Sequence, residues 1–213
     1  LMLAARKMAE DASVDVALHL DHGASLEQVK KAIDLGFSSV MLDGSKLPLE
    51  ENIRTTREAV GLARKAGVSC EGEIGLIPSA KEAIPTCDAD EAIRFAKETG
   101  VDALAAAIGT AHGFYKEEPT LDLELARRIH SETKIPLVLH GGTGVPERQI
   151  IASIGCGVAK VNIATEYQNL FLQEVGGALK RLEGFKPVDL VFAPVEEKLV
   201  EFARKTIRML AGK

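Results

Sequence analysis

Short runs in which aliphatic and polar residues alternate recur along the chain, and segments with helical spacing of apolar positions lie between them. The alternating runs, at 14–21, 38–43, 68–73, 103–109, 136–140 and 159–164, predict six β-strands. Helical spacing appears at about 50–66, 89–99, 121–132, 146–154, 166–182 and 195–210. Another helix starts at Ser25, whose spacing to Gln28 resembles a capping box, and ends before Gly36. The first ten residues read as an amphipathic helix already in progress. Strand–helix alternation calls for a parallel sheet with helices as crossovers.

Parity within the strands separates two faces, because successive side chains point to opposite sides. Leu18 and Leu20 oppose His19 and Asp21; Val40 and Leu42 oppose Met41 and Asp43. Leu137 and Leu139 oppose Val138 and His140, and Val161 and Ile163 oppose Lys160, Asn162 and Ala164. One face is aliphatic and suits a helix layer, whereas the other becomes polar toward the strand ends. A doubly wound sheet buries two aliphatic faces. A (β/α)8 TIM barrel has a single inner face and carries its active site on the C-terminal rim. The barrel is therefore the fold expected for this single domain, residues 1–213. Six βα units account for 213 residues, against about 250 for a typical barrel. Because the chain opens inside a helix, two strands and a helix are expected to precede residue 1.

Each predicted strand ends in a polar residue or a glycine turn: Asp21-His22-Gly23, Asp43-Gly44, Glu71-Gly72-Glu73, Thr110-Ala111-His112-Gly113, His140-Gly141-Gly142-Thr143-Gly144, and Asn162 with Thr165. A barrel gathers such ends around one mouth. His22, His112 and His140, three of five histidines, thus reach the same rim, and three imidazoles with an open position suit a catalytic zinc ion. His130 belongs to a solvated helix face, and His19 to a hydrogen bond inside the barrel. Lys160 has inward parity, as a Schiff-base lysine would. The histidine triad argues against that role, and pairing with Glu71 or Glu73 is expected instead.

Four segments carry a resemblance to a known family: Ala17-Leu18-His19-Leu20-Asp21-His22-Gly23, Ala107-Ile108-Gly109-Thr110-Ala111-His112-Gly113, Leu137-Val138-Leu139-His140-Gly141-Gly142-Thr143-Gly144 and Lys160-Val161-Asn162-Ile163-Ala164-Thr165-Glu166. In this order they resemble the class II fructose-bisphosphate and tagatose-bisphosphate aldolases. The resemblance implies Zn2+ on His22, His112 and His140, with Asp21 as the acid/base and an alternative metal position near Asp43 and Glu73. It implies phosphate recognition at Gly113, Gly141, Gly142, Thr143, Asn162, Ile163, Ala164 and Thr165, and a monovalent cation (Na+ or K+) near the phosphate. The expected reaction is reversible cleavage of tagatose or fructose 1,6-bisphosphate to dihydroxyacetone phosphate and glyceraldehyde 3-phosphate. Alanine at 164, where the family often has aspartate, points toward tagatose. After Gly75 the chain is shorter than the loop that supplies a proton-shuttling glutamate in many members, and Glu82 is the candidate it offers. Another zinc-dependent barrel enzyme, such as a hydrolase, and a non-catalytic sugar-phosphate-binding relative are the rival readings.

The chemistry supports the same picture. Retro-aldol cleavage needs a Lewis acid at the ketone and a carboxylate to take the hydroxyl proton. Glycine-rich turns offer phosphate backbone N–H groups at close range. The net charge of −5 gives no reason to expect a nucleic-acid partner and assigns anion binding to such local groups. Cys70, Cys87 and Cys156 form no CxxC and leave an odd count, which fits a reducing, cytoplasmic setting. No apolar run approaches the roughly 20 residues of a membrane span. A homodimer or homotetramer is expected.

Overall fold

The structure is a computed structural model that describes residues 2–185 and 187–212. The chain runs α1 (Met2–Glu10), β1 (His19–Gly23), α2 (Leu26–Asp34), β2 (Ser39–Leu42), α3 (Leu49–Ala66), β3 (Ser69–Ile74), α4 (Ala89–Thr99) and β4 (Ala103–Ala106). It continues through α5 (Leu123–Thr133), β5 (Leu137–Leu139), α6 (Glu147–Ile154), β6 (Val158–Val161), α7 (Thr165–Arg181) and α8 (Val188–Leu210). The six strands pair in parallel, each with the next in sequence. They form the larger part of a TIM barrel, with helices outside.

Local sequence fixes many element ends. Asp88 accepts from the N–H groups of Asp90 and Glu91 and starts α4; Asp122 accepts from Leu125 and starts α5. Ser25 accepts from Gln28 N–H at 3.2 Å, but the Gln28 amide oxygen takes the N–H of Ala24 rather than of Ser25. Two expected starts differ. Strand β1 begins at His19 rather than 14, and Val14 and Val16 lie exposed. Its only described partner is β2, whose pairing begins at Ser39 opposite His19. Helix α8 begins at Val188 rather than 195 and carries Pro194 inside. Proline there removes one backbone hydrogen bond. Val191 and Val195, both buried on either side of it, fix the turn against the rest of the fold.

The core sits between strands and helices, as parity requires. Val40, Leu42 and Cys70 pack with Val29, Ala59, Val60 and Ala63 of α2 and α3. Leu104, Ala106, Leu137 and Leu139 pack with Phe95, Ile129 and Ile150 of α4, α5 and α6. Burying each large aliphatic side chain contributes roughly 1.5–3 kcal/mol. Gly72 lets α4 come close, because a Cβ there would lie 3.0 Å from both the Phe95 ring and Val101.

The inner face closes on itself across the sheet. Lys160 Nζ on β6 donates to Glu71 Oε2 on β3 at 2.8 Å, so the expected lysine–carboxylate pair forms. His19 Nδ1 on β1 meets Ser39 Oγ at 2.8 Å, an interior hydrogen bond, and its Nε2 lies 3.6 Å from Glu71. Asn162, just beyond β6, donates to Asp21 Oδ1 on β1 at 3.2 Å. Contacts between the first and last strands require a strongly curved sheet.

Candidate functional site

Asp21 and His22 are neighbours, and regular alternation would send them to opposite faces. The β1–β2 register shows how both reach the mouth. Leu20 pairs with Val40 and Gly23 with Leu42, so β1 holds one extra residue, a β-bulge. His22 takes φ 47°, one of two non-glycine residues in the left-handed region among those described. Gly23 must be small, because a Cβ would sit 2.3 Å from Met41 O.

The bulge brings His22 Nε2 within 3.1 Å of His140 Nδ1. Each ring is held from behind by a carboxylate: His22 Nδ1 by Asp43 Oδ2 and His140 Nε2 by Glu71 Oε1, both at 2.8 Å. Burial works against the Asp43 charge, but hydrogen bonds from His22 and from Ser45 hold its carboxyl well below the usual range. Burial likewise opposes ionisation of Glu71, and His140 with Lys160 more than offsets it. Two ionised carboxylates accept only, so the outer ring nitrogens carry the protons. With the protons on the outer nitrogens, inner nitrogens that carry none present lone pairs to each other. A cation between them relieves that opposition. Nitrogens around a tetrahedral zinc at about 2.0–2.1 Å stand about 3.3 Å apart, close to the spacing seen.

His112 completes the group. Its ring meets His22 and His140 edge-on, with centroids 5.1 and 6.0 Å away. One nitrogen from each of the three rings lies within 4.8 Å of the others. Desolvation, followed by the neighbouring imidazoles, lowers the His112 pKa, whereas the Asp43 hydrogen bond raises that of His22. His22, Asp43 and Glu73 form a second group within the same distance. Burial and the nearby Asp43 push Glu73 up to about 8, which keeps it protonated at neutral pH in this arrangement. Its Oε2 lacks a hydrogen-bond partner among the described residues and lies 3.7 Å from His22 and from His140. An orphaned buried carboxyl oxygen beside two imidazoles is a further feature that a cation would satisfy.

A cavity of 230 Å³ opens over these groups, lined by Asp21, His22, His112, Gly141, Thr143, Asn162, Ala164 and Thr165. His140 lies beneath it, 1% exposed. Helix α7 begins at the cavity, and its N-cap Ala164 makes no side-chain capping bond, so the positive end of the helix is turned to the cavity with one first-turn donor, Glu166 N–H, taken up by Thr143. Thr143 accepts from Glu166 N–H and ties the loops that follow β5 and β6 together. Gly142 N–H donates to Asn162 O at 2.9 Å, so this amide is committed within the protein. Gly113, Gly142 and Ile163 are not among the lining residues. Glu82 is exposed in the turn after Ser79 and is likewise absent from the lining.

Gly141 has φ +65°, and a Cβ there would stand 2.3 Å from Ala111 O. Gly141→Ala is expected to destabilise by about 2–4 kcal/mol, from the left-handed backbone and the clash together. Urea unfolding of the metal-free proteins checks this, and an unchanged midpoint would refute it.

Several supporting residues carry no signal in the sequence pattern. The Tyr115 hydroxyl accepts from Ala111 N–H at 2.8 Å and lies 2.9 Å from the carbonyls of Ala111 and Gly141, joining the loops that bear His112 and His140. Asn52 on α3, 2% exposed, donates to Glu73 O. It packs so tightly on Gly44 that a Cβ there would lie 2.1 Å from its side-chain oxygen. His130 Nδ1 donates to Ile135 O at 2.9 Å, outside the site.

Residues 1–213 match the family model described as fructose-bisphosphate aldolase class-II. The chain is 43% identical over 202 residues to the 6-phospho-5-dehydro-2-deoxy-D-gluconate aldolase of Shouchella clausii, covering 89% of this chain and 69% of that protein. It is 46% identical over 168 residues to the fructose-bisphosphate aldolase of Geobacillus stearothermophilus, covering 76% and 58% respectively. The crystal structure of the YdjI aldolase from Escherichia coli K12 superposes with a TM-score of 0.87 at 34% identity, covering 98% of this chain and 74% of that one. No helix among the described residues is long and apolar enough to cross a membrane.

Proposed function

Because the chain belongs to the class II fructose-bisphosphate aldolase family, and is thus a lyase, we propose that it cleaves a phosphorylated ketose by a zinc-dependent retro-aldol reaction. His22, His112 and His140 hold the zinc, and tagatose or fructose 1,6-bisphosphate gives dihydroxyacetone phosphate and glyceraldehyde 3-phosphate. The observation that carries this reading is the pair of carboxylate-backed imidazoles facing each other across 3.1 Å, with Asp21 beside them.

Zinc supplies, when bound, a Lewis acid for the electron pair left beside the ketone as the carbon–carbon bond breaks. The remaining work falls to side chains and backbone. Asp21 takes the proton from the C4 hydroxyl as the aldehyde leaves. Asn162 donates to Asp21 Oδ1 and so aims the other carboxylate oxygen at the substrate. The N–H groups of Gly141, Thr143, Ala164 and Thr165, which donate to no other backbone group among the described residues, hold the phosphate of the ketone half. Asp43 and Glu71 fix the imidazole tautomers. Lys160 is engaged by Glu71, which supports a mechanism without an imine.

The relative named for 6-phospho-5-dehydro-2-deoxy-D-gluconate supports a second substrate class for the same site. That name places a phosphate on C6 and a ketone on C5, so breaking the C3–C4 bond yields the same three-carbon ketone phosphate. The two readings differ only in the aldehyde half. Ala164 lines the cavity where an aspartate would offer a hydrogen-bond acceptor, and pockets that pair a hydroxyl discriminate most strongly.

Coupled assay of triose phosphate release from all three sugars tests the proposal. Turnover of a bisphosphate is expected, abolished by EDTA and unaffected by borohydride, and Ala164→Asp should shift kcat/KM toward the fructose compound. Release only from the gluconate selects the second reading. No release from any sugar, or borohydride trapping on Lys160, would overturn the reaction itself.

A further inference from the structure

The three histidines differ in what stands behind them. His22 rests on Asp43 and His140 on Glu71. The His112 ring meets the other two imidazoles edge-on, with no carboxylate hydrogen-bonded to it among the described residues. Metal-binding imidazoles are ordinarily oriented by a carboxylate, a backbone carbonyl or a water on the outer nitrogen.

What holds His112 is its main chain. Its N–H donates to Pro78 O at 2.7 Å, and its carbonyl accepts from Ala80 N–H at 2.8 Å. Ser79 and His112 thereby form an isolated parallel bridge. The segment that grips His112 is anchored in turn, since Ile77 and Pro78 are buried. His112 lies six residues past the end of β4, between Gly109 and Gly113, whose φ angles are +101° and +115°. No regular element fixes its backbone. The same loop touches the β4 exit again at its far end, where Cys87 N–H donates to Ala107 O.

We propose that residues 77–80 are a positioning element for the metal: they place His112, and their ordering is linked to metal binding. The inference rests on His112 being a ligand. Linkage is reciprocal, so whatever this segment contributes to affinity returns to it as protection when the metal binds.

Zinc affinity of the metal-free protein, measured by competition with a chromophoric chelator, tests the idea in four proteins. His112→Ala should weaken binding strongly. Ala80→Pro, which deletes the N–H, should weaken it about 10–100-fold. Ala80→Ser keeps the N–H and should bind as the wild type does. Unweakened binding by Ala80→Pro, with His112→Ala weakened, overturns the role of the loop and leaves the ligand assignment standing. Unweakened binding by His112→Ala overturns both. Hydrogen exchange on the unmodified protein decides the matter independently of whether a variant folds. Zinc should slow the Ala80 and His112 amides at least about tenfold more than the Cys87 amide. Equal slowing at all three, or none at Ala80, overturns the linkage.

Discussion

Replacing His140 with alanine is expected to abolish zinc binding and cleavage together and to weaken the fold. Its ring is almost wholly buried, joined to Glu71 by one nitrogen and facing His22 by the other. Truncation leaves two imidazoles, too few for a structured site with an open position. It also strands Glu71 with Lys160 as its remaining side-chain hydrogen-bond partner and opens a cavity under the mouth. Lost packing and a lost hydrogen bond to a buried charge together cost about 2–4 kcal/mol. Metal analysis, the triose release assay and urea unfolding of the metal-free proteins read the three effects. Stoichiometric zinc in His140→Ala would remove this residue from the site.

The second large effect separates chemistry from assembly. Asp21→Ala should retain zinc and the fold yet lose roughly 10²–10⁴ in kcat, the usual contribution of a positioned acid or base. The expectation follows from how loosely Asp21 is tied to its surroundings. It is exposed to the cavity, and its described hydrogen bond comes from the Asn162 amide rather than from an imidazole. Removing the carboxylate therefore leaves His22 on Asp43 and His140 on Glu71. An unchanged kcat would take Asp21 out of the mechanism, and loss of zinc would make it part of the metal site instead.

Much of this architecture is legible in the residues because each strand packs a helix on one side only. Leu137 and Leu139 announce the outer face, Lys160 the inner one, and both readings hold in the fold. Element ends are less legible. Proline at 194 reads as a boundary, yet buried Val191 and Val195 carry α8 through it. The three histidines could be grouped because a barrel converges its strand ends. Their support could not be read in the same way. Strict alternation places His22 with the outward residues, and only the added residue in β1 reverses that. Tyr115, Asn52 and the 78–80 clamp act through loops and buried polar contacts, where no period exists to be read. The commitment of Gly142 N–H to Asn162 O is equally invisible in a glycine-rich string.

The bulge at His22 sets a condition on anyone who would move this site to another scaffold. Copying the Asp-His pair onto an ordinary straight strand would leave one of the two facing the surrounding helices, however well His112 and His140 were grafted. The unit to transplant is the irregular stretch from Leu20 to Gly23 together with its neighbour around Met41, whose carbonyl leaves room for nothing larger than hydrogen at position 23. A sequence-design procedure that rewards ideal strand geometry would erase this defect first, and the shared orientation of Asp21 and His22 with it.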